Sequence, residues 1–116
     1  MNQYYVVENG DMSADIISSA LDLSFVRFGS IHAVFTGSPN GSLSLEFSND
    51  IIEVGSDPSS AVVNWTAYSG SSYSLSSSGQ YMFNISNMGY RWLRLVYTAT
   101  SGSGVLNAIA AVKNDY

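Results

Sequence analysis

The stretch Ser42–Asp50, SLSLEFSND, constrains the fold more than any other part of this chain. Leu43, Leu45 and Phe47 alternate with serine and glutamate, so the apolar side chains share one face of an extended segment. A period of two is the repeat of a β-strand with one buried face, whereas a helix would scatter these residues around its axis. The stretch is therefore predicted to be a strand that covers a core on one side and meets polar surroundings on the other.

Similar patterns recur along the chain, separated by Gly, Ser, Asn and Pro. Within Tyr90–Thr100, Leu93, Leu95 and Tyr97 are predicted to face inward, and Leu106 begins a second inward set in Val105–Lys113. Turn signals every 8–12 residues predict about eight strands in an antiparallel β-sandwich or barrel. The other predicted strands are Tyr4–Glu8, Ser30–Gly37, Val62–Ser69 and Tyr81–Ser86.

Three segments complete this prediction. Ala14–Ser24 is read as strand or irregular structure, and the Ser-rich segment 69–80 as either a loop or a weak edge strand with Tyr73 and Leu75 facing in. The Ser- and Gly-rich stretch after Thr100 is predicted to be the turn of a hairpin that closes the fold. The segment SPNG, at 38–41, is predicted to be a turn as well.

Length and charge bound the function. The chain has 116 residues, enough for one domain, 1–116, in which residues 1–12 form either an N-terminal arm or an edge strand. A net charge of −5 argues against binding to nucleic acid or to an anionic membrane surface. Only 11% of residues are charged, against about 25% in an average domain, so the surface has little electrostatic protection against association. No window is apolar enough to span a membrane, and the N-terminus does not resemble a signal peptide.

The residues of catalytic chemistry are sparse. The chain has no cysteine, and its single histidine, His32, is expected to be an ordinary hydrogen-bonded residue on the polar face of a strand. No nucleophile elbow or phosphate-binding loop occurs, so no enzyme activity and no cofactor are expected. Asp50, Glu53 and Asp57 are weak candidates for a Ca²⁺ site, but their spacing matches no EF-hand loop, and solvated loop carboxylates are the simpler interpretation.

Aromatic residues are the most informative side chains. They can serve as core, as protein interface or as a stacking platform for sugars, and Trp65, Trp92, Tyr68 and Tyr73 are the candidates for the last role. Trp92 and Arg94 share the face of their strand opposite the leucines, so both are expected on an exposed, interface-forming surface, with a cation–π stack between them. Arg91 is expected at the rim or paired with a carboxylate.

The segments SIHAVFTGSPNGSLSLEFSND and GYRWLRLVYTATSGSGVLNAIAAVK, at 30–50 and 89–113, carry a resemblance to a known family. Together with GQYMFNI between them, they resemble a family of small virion structural proteins of tailed bacteriophages. The shared pattern is a Thr-Gly-x-x-x-Gly turn, a leucine strand ending in Ser-Asn-Asp, and a Tyr-Arg-x-x-Arg-Leu-x-Tyr-Thr strand before Ser-Gly-x-Gly. The resemblance spans roughly Leu21–Lys113, and His32 stands where the family pattern has Gln.

The resemblance implies a jelly-roll-like sandwich on a phage particle. It implies a non-enzymatic virion protein, either a head decoration or cement protein or a neck or tail component, which forms a homo-oligomer and contacts other virion proteins. The interface candidates are Trp92, Arg94, Trp65, Tyr68, Tyr4 and Tyr5. The strand and turn pattern is also similar to galactose-binding-like jelly rolls, so the alternative function is a carbohydrate-binding module for a host receptor glycan.

Overall fold

The computed structural model of this protein describes residues 2–24, 26, 28–68, 71–86 and 89–113. It is an all-β structure in which eight strands belong to one antiparallel sheet. The strands are β1 (Asn2–Asp11), β2 (Ile16–Ile17), β3 (Leu21–Asp22), β4 (Phe28–Ser48), β5 (Thr66–Ala67), β6 (Tyr73–Leu75), β7 (Gly79–Ser86) and β8 (Trp92–Lys113). One short helix, α1 (Pro58–Ala61), is found in the part of the chain that the structure describes.

Two long strands organise the sheet. β4 has 21 residues and β8 has 22, and they pair along their full length, from Phe28 opposite Lys113 to Ser48 opposite Trp92. Both strands bend midway, so the sheet folds over on itself. In the first half-sheet the order is β1, β8, β4, β7, and in the second β2 and β3 flank β8 while β5 and β6 flank β4.

The bend corrects two predictions. The segment SPNG and the Ser- and Gly-rich stretch after Thr100 were predicted to be turns, but each lies inside a continuous strand, and they pair with each other. Gly37 lies opposite Gly104 and Pro39 opposite Gly102, with a register shift between Asn40 and Gly41. Gly37 and Gly102 adopt φ values of 86° and 79°, which glycine tolerates best. The predicted closing hairpin is therefore wrong. The glycines bend the paired strands β4 and β8, and neither chain reverses direction there.

The core lies between the two half-sheets and confirms the predicted direction of the best strands. Phe35 and Ala108 of the first half-sheet and Leu45 and Leu95 of the second belong to one buried cluster. The alternation in Ser42–Asp50 therefore identified the inward face correctly. The buried hydrophobic residues of β4 and β8 are Ile31, Ala33, Phe35, Leu43, Leu45, Phe47, Leu93, Leu95, Tyr97, Leu106, Ala108, Ala110 and Val112, with Trp92 also buried.

Other predicted elements differ in extent. The predicted strand Val62–Ser69 is reduced to the two residues of β5, because α1 and the residues after it hold the chain away from the sheet; Ser69 lies outside the described residues. Asp57 caps α1 by accepting a hydrogen bond from the main chain of Ser59. Residues 2–11 lie in the sheet as the edge strand β1, paired with the second half of β8.

No helix in the described ranges is long and apolar enough to cross a membrane.

Candidate functional site

On the outer face of the first half-sheet, two successive rows that cross all four strands contain no Asp, Glu, Lys or Arg, and neither do β8, β4 and β7 in the next row, where β1 instead has the bulge with Glu8 and Asn9. The strand register sets these rows, since residues directly opposite each other point to the same side of the sheet. We call this surface the neutral face. Its rows are Gln3, Ala111, Ser30 and Asn84; then Tyr5, Ile109, His32 and Met82; then Asn107, Val34 and Gln80.

The middle row of the neutral face is its most apolar part. Tyr5 and Met82 stand at its two ends and are 53% and 45% exposed, and Ile109 lies between them, half-buried. A shallow depression of about 250 Å³ opens beside Gln3, Tyr4, Tyr5 and Ile109. The sequence-predicted interface candidates Tyr4 and Tyr5 are therefore both exposed at this edge of the sheet, with Tyr4 43% exposed.

His32 lies near the middle of the neutral face and is half-buried. Its Nε2 is 2.7 Å from Oε1 of Gln80 on the neighbouring strand β7. This hydrogen bond links the side chains of β4 and β7 across the outer face of the sheet. This position matches the prediction of a hydrogen-bonded strand residue.

The corresponding face of the second half-sheet is partly covered by the chain's own segment 49–65. Trp92 points to this side, yet only 2% of it is exposed, and its Nε1 donates to the main-chain oxygen of Asp50 at 3.0 Å. The prediction that Trp92 is an exposed interface residue is therefore wrong. Alternation along β8 placed it correctly opposite the leucines, but could not show that a distant loop folds over that face.

The predicted Trp92–Arg94 stack is also replaced by different pairs. The Arg94 guanidinium lies 4.3 Å from the ring centroid of Trp65, while the Arg91 guanidinium lies 4.5 Å from that of Trp92. Arg94 also forms an ion pair with Glu46, with Nη2 2.6 Å from Oε1. Arg91 pairs with Asp22 at 3.0 Å at the rim, in agreement with prediction. Arg94 and Trp65 therefore contact each other, and both remain partly exposed.

The Asp50 carboxylate binds groups near the end of segment 49–65, which we call the covering segment. Its Oδ2 accepts hydrogen bonds from the main-chain N–H groups of Val63 and Asn64, at 2.8 and 3.0 Å, and its Oδ1 accepts one from Nδ2 of Asn64 at 2.9 Å. These bonds, with that from Val63 first, hold the pKa of the Asp50 carboxyl below its ordinary value. Asp50 therefore bridges the start and the end of the segment, and its oxygens are already used.

The weak calcium candidates do not form a cluster. Asp50 is bound to the covering segment, and Asp57 caps α1. Among the residues that the structure describes, no group of three or more His, Cys, Asp or Glu side chains is placed to hold a metal ion, and this includes Glu53.

A cleft of about 450 Å³ opens at the end of the second half-sheet, beside the buried ring of Phe47. Tyr90 stacks on Phe47, with centroids 4.1 Å apart and planes at 19°, and Tyr68 meets Phe47 edge-on at 5.0 Å and 89°. The two tyrosines are 37% and 41% exposed. Since one is nearly parallel to Phe47 and the other perpendicular, they form two walls of a corner, which we call the aromatic cleft.

Apart from Ala67, the remaining lining of the aromatic cleft consists of polar, uncharged residues. It includes Asn49, Asn64 and Thr66, which come from different parts of the chain. Sequence reasoning named Tyr68 as a candidate but missed Tyr90 and the two asparagines. No spacing pattern could have found them, because about 40 residues separate Asn49 from Tyr90 and only the folded sheet brings them together.

Comparison with known proteins yields a structural likeness only. No protein-family model matches the chain, and no curated protein matches it in sequence. Among solved structures, the chain is similar to the crystal structure of the SPBc2 prophage-derived protein YomS, with a TM-score of 0.53 and 12% sequence identity. The match covers 97% of this chain and 92% of that one, so the likeness extends over the whole fold.

Proposed function

We propose that this protein is a non-enzymatic structural component of a bacteriophage virion that assembles through the neutral face. Two observations support the proposal. A protein of prophage origin shares the fold over nearly its full length, and the neutral face contains no Asp, Glu, Lys or Arg in two rows that cross four strands or in β8, β4 and β7 of the third row. A head decoration or cement protein is the favoured role, and a neck or tail component is the next.

The observation that carries the assembly proposal is the contrast between the neutral face and the rest of the molecule. The chain has a net charge of −5, so two copies repel each other wherever their acidic side chains meet. On the neutral face they can meet without placing like charges together, and Tyr5, Ile109 and Met82 supply apolar contact area. The proposed partner is therefore a second copy of this chain, with neighbouring virion proteins around it.

The neutral face is small, so a single contact through it would be weak. Four strands and three rows measure about 14 by 14 Å between outer Cα positions, from the usual strand spacing and rise. Such a patch lies below the roughly 800 Å² per partner of a stable standard interface. A single contact is therefore weak, and a symmetric particle that repeats it many times would provide the required stability.

The test is sedimentation equilibrium of the purified protein over a range of concentrations. We expect reversible self-association with a dissociation constant between about 10 μM and 1 mM, the range of weak contacts. Met82→Glu and Tyr5→Glu should each weaken it at least tenfold, since every contact would then bury added negative charge. Both side chains are exposed on edge strands, so the fold should be retained.

A matched control separates a local effect from the added charge itself. Val63 is 71% exposed on the covering segment, away from the neutral face, so Val63→Glu adds the same charge elsewhere and should leave the association unchanged. A wild-type protein that stays monomeric at about 1 mM would contradict self-assembly. Equal weakening by Met82→Glu and Val63→Glu would show that net charge, not this face, controls association.

A further inference from the structure

We propose that the aromatic cleft is a binding site for a neutral pyranose sugar. This function would be additional to assembly, because the cleft lies at the end of the second half-sheet and the neutral face belongs to the first. The cleft volume of about 450 Å³ falls within the range of small-ligand pockets, about 300–1,000 Å³.

The two tyrosines supply the apolar part of such a site. Tyr90 uses one face against Phe47, so its other face is turned away from the core, and Tyr68 stands at roughly a right angle to it. A pyranose ring has a flat face of C–H groups with hydroxyls around its edge. An aromatic wall can cover the C–H face, while the tyrosine hydroxyls and neighbouring polar groups meet the edge.

The two asparagines supply polar groups of known orientation. Oδ1 of Asn49 accepts the main-chain N–H of Arg91 at 2.9 Å, and a donor can only be satisfied by the amide oxygen. The Nδ2 group of Asn49 therefore remains as a donor. Nδ2 of Asn64 donates to the Asp50 carboxylate, so Oδ1 of Asn64 remains as an acceptor. One fixed amide donor and one fixed amide acceptor suit the paired donor and acceptor character of sugar hydroxyls.

The charge of the lining narrows the ligand class. The lining contains no Asp, Glu, His, Lys or Arg side chain. A sialic acid, a uronic acid or a phosphate would lose its hydration without gaining an ionic partner. The cleft is therefore suited to neutral hexoses and their N-acetylated forms.

The experiment is a titration followed by ¹H–¹⁵N NMR on the whole chain. The probes are galactose, glucose and N-acetylglucosamine, each up to about 50 mM, a concentration that saturates weak sites of millimolar affinity. We expect saturable shifts for at least one probe at the side-chain amides of Asn49 and Asn64. N-acetylneuraminic acid should bind at least fivefold more weakly than that probe.

Two variants test the lining and one controls for general effects. Tyr68→Ala removes a wall, and Thr66→Val removes only a hydroxyl while retaining the shape; each should weaken binding at least fivefold. Tyr73→Ala removes an aromatic that stacks on Tyr81 elsewhere, with centroids 4.0 Å apart, and should leave binding unchanged. Melting temperatures of all three variants identify any loss of fold.

Three outcomes would overturn the proposal. They are the absence of saturable shifts with every probe, equal binding by wild type and by folded Tyr68→Ala and Thr66→Val, and equal binding of the acidic sugar. Shifts of cleft residues that follow protein concentration instead of sugar would show that the cleft is a protein contact. Self-association through the neutral face is measured separately and should be the same in Tyr68→Ala, so either function can fail without the other.

Discussion

Leu45 and Leu95 lie directly opposite each other on the two central strands. The main-chain N–H of each points away from the other strand and donates a hydrogen bond to a buried serine hydroxyl. On the β4 side the acceptor is Ser71, 3.0 Å away, and on the β8 side it is Ser18, 2.8 Å away. Each serine hydroxyl donates onward to a main-chain carbonyl, Ser71 to Tyr68 and Ser18 to Ser19. The two serine hydroxyls thus replace the main-chain partners that the short strands β2 and β5 do not supply to Leu95 and Leu45.

We expect Ser18→Ala and Ser71→Ala each to lower the free energy of unfolding by about 1–3 kcal/mol, because each leaves a buried N–H without its acceptor. The measurement is urea unfolding followed by tryptophan fluorescence. Ser44→Ala is the control, since Ser44 is half-buried on the outer side of β4, and it should change stability by less than about 0.5 kcal/mol. Equal effects at all three positions would contradict this role of the two buried serines.

Trp92→Ala should destabilise the domain by about 3–5 kcal/mol, the usual cost of truncating a buried aromatic. The variant opens a cavity and leaves the main-chain oxygen of Asp50 without the indole donor. Trp65→Ala should cost less than half as much, since Trp65 is only half-buried. Melting curves of the two variants provide the comparison. If Trp92→Ala melts with the wild type, the covering segment does not enclose this residue.

Tyr97→Phe should stabilise the protein by about 1 kcal/mol. Tyr97 is fully buried, and within the described ranges its phenol oxygen is the buried side-chain atom without a hydrogen-bond partner. Removing an unsatisfied hydroxyl recovers its desolvation cost while the ring keeps its packing. Chemical denaturation measures the change, with Tyr73→Phe, at a half-buried position, as the control. A loss of stability on Tyr97→Phe would mean that the hydroxyl has a partner in solution.

Acidification should loosen the covering segment. The pKa of Asp50 is lowered in the folded protein, so its contribution to stability is complete above the ordinary carboxyl pKa of about 4 and is lost as pH falls through the lowered folded value. Asp50→Asn should be less stable at pH 7, because an amide nitrogen would face the donors of the segment. Its stability should also fall less steeply than that of the wild type between pH 5 and pH 3.

Urea midpoints measured at each pH provide the test of the Asp50 prediction. Asp11 and Asp22 also have lowered pKa values, so both proteins should retain some acid sensitivity. For Asp11 the main cause is hydrogen bonding by Ser13, whereas for Asp22 burial raises the pKa but bonds from Ser24 and Arg91 outweigh it. Parallel pH profiles for wild type and Asp50→Asn would contradict a role for Asp50 in this window.

The sequence was sufficient wherever a local repeat carries the information. Alternation in Ser42–Asp50 and along β8 predicted the all-β class and the inward positions of Leu45, Phe47, Leu95 and Tyr97, all of which are buried. This works because a strand places successive side chains on opposite faces, so one buried face is visible within a few residues.

The tertiary structure decided whatever depends on segments far apart in the chain. A Gly- and Ser-rich segment has the same composition whether it forms a hairpin turn or a bend within a strand. Only the pairing of Gly37 with Gly104 shows that the segments here are bends within β4 and β8. Trp92 alternates like an outward residue and is nevertheless buried, because Asp50 ties a distant segment over it. The aromatic cleft joins Asn49, Asn64 and Tyr90 in the same way. Alternation reports which side of a strand a residue occupies, but burial also depends on what packs against that side, and long-range contacts alone determine that.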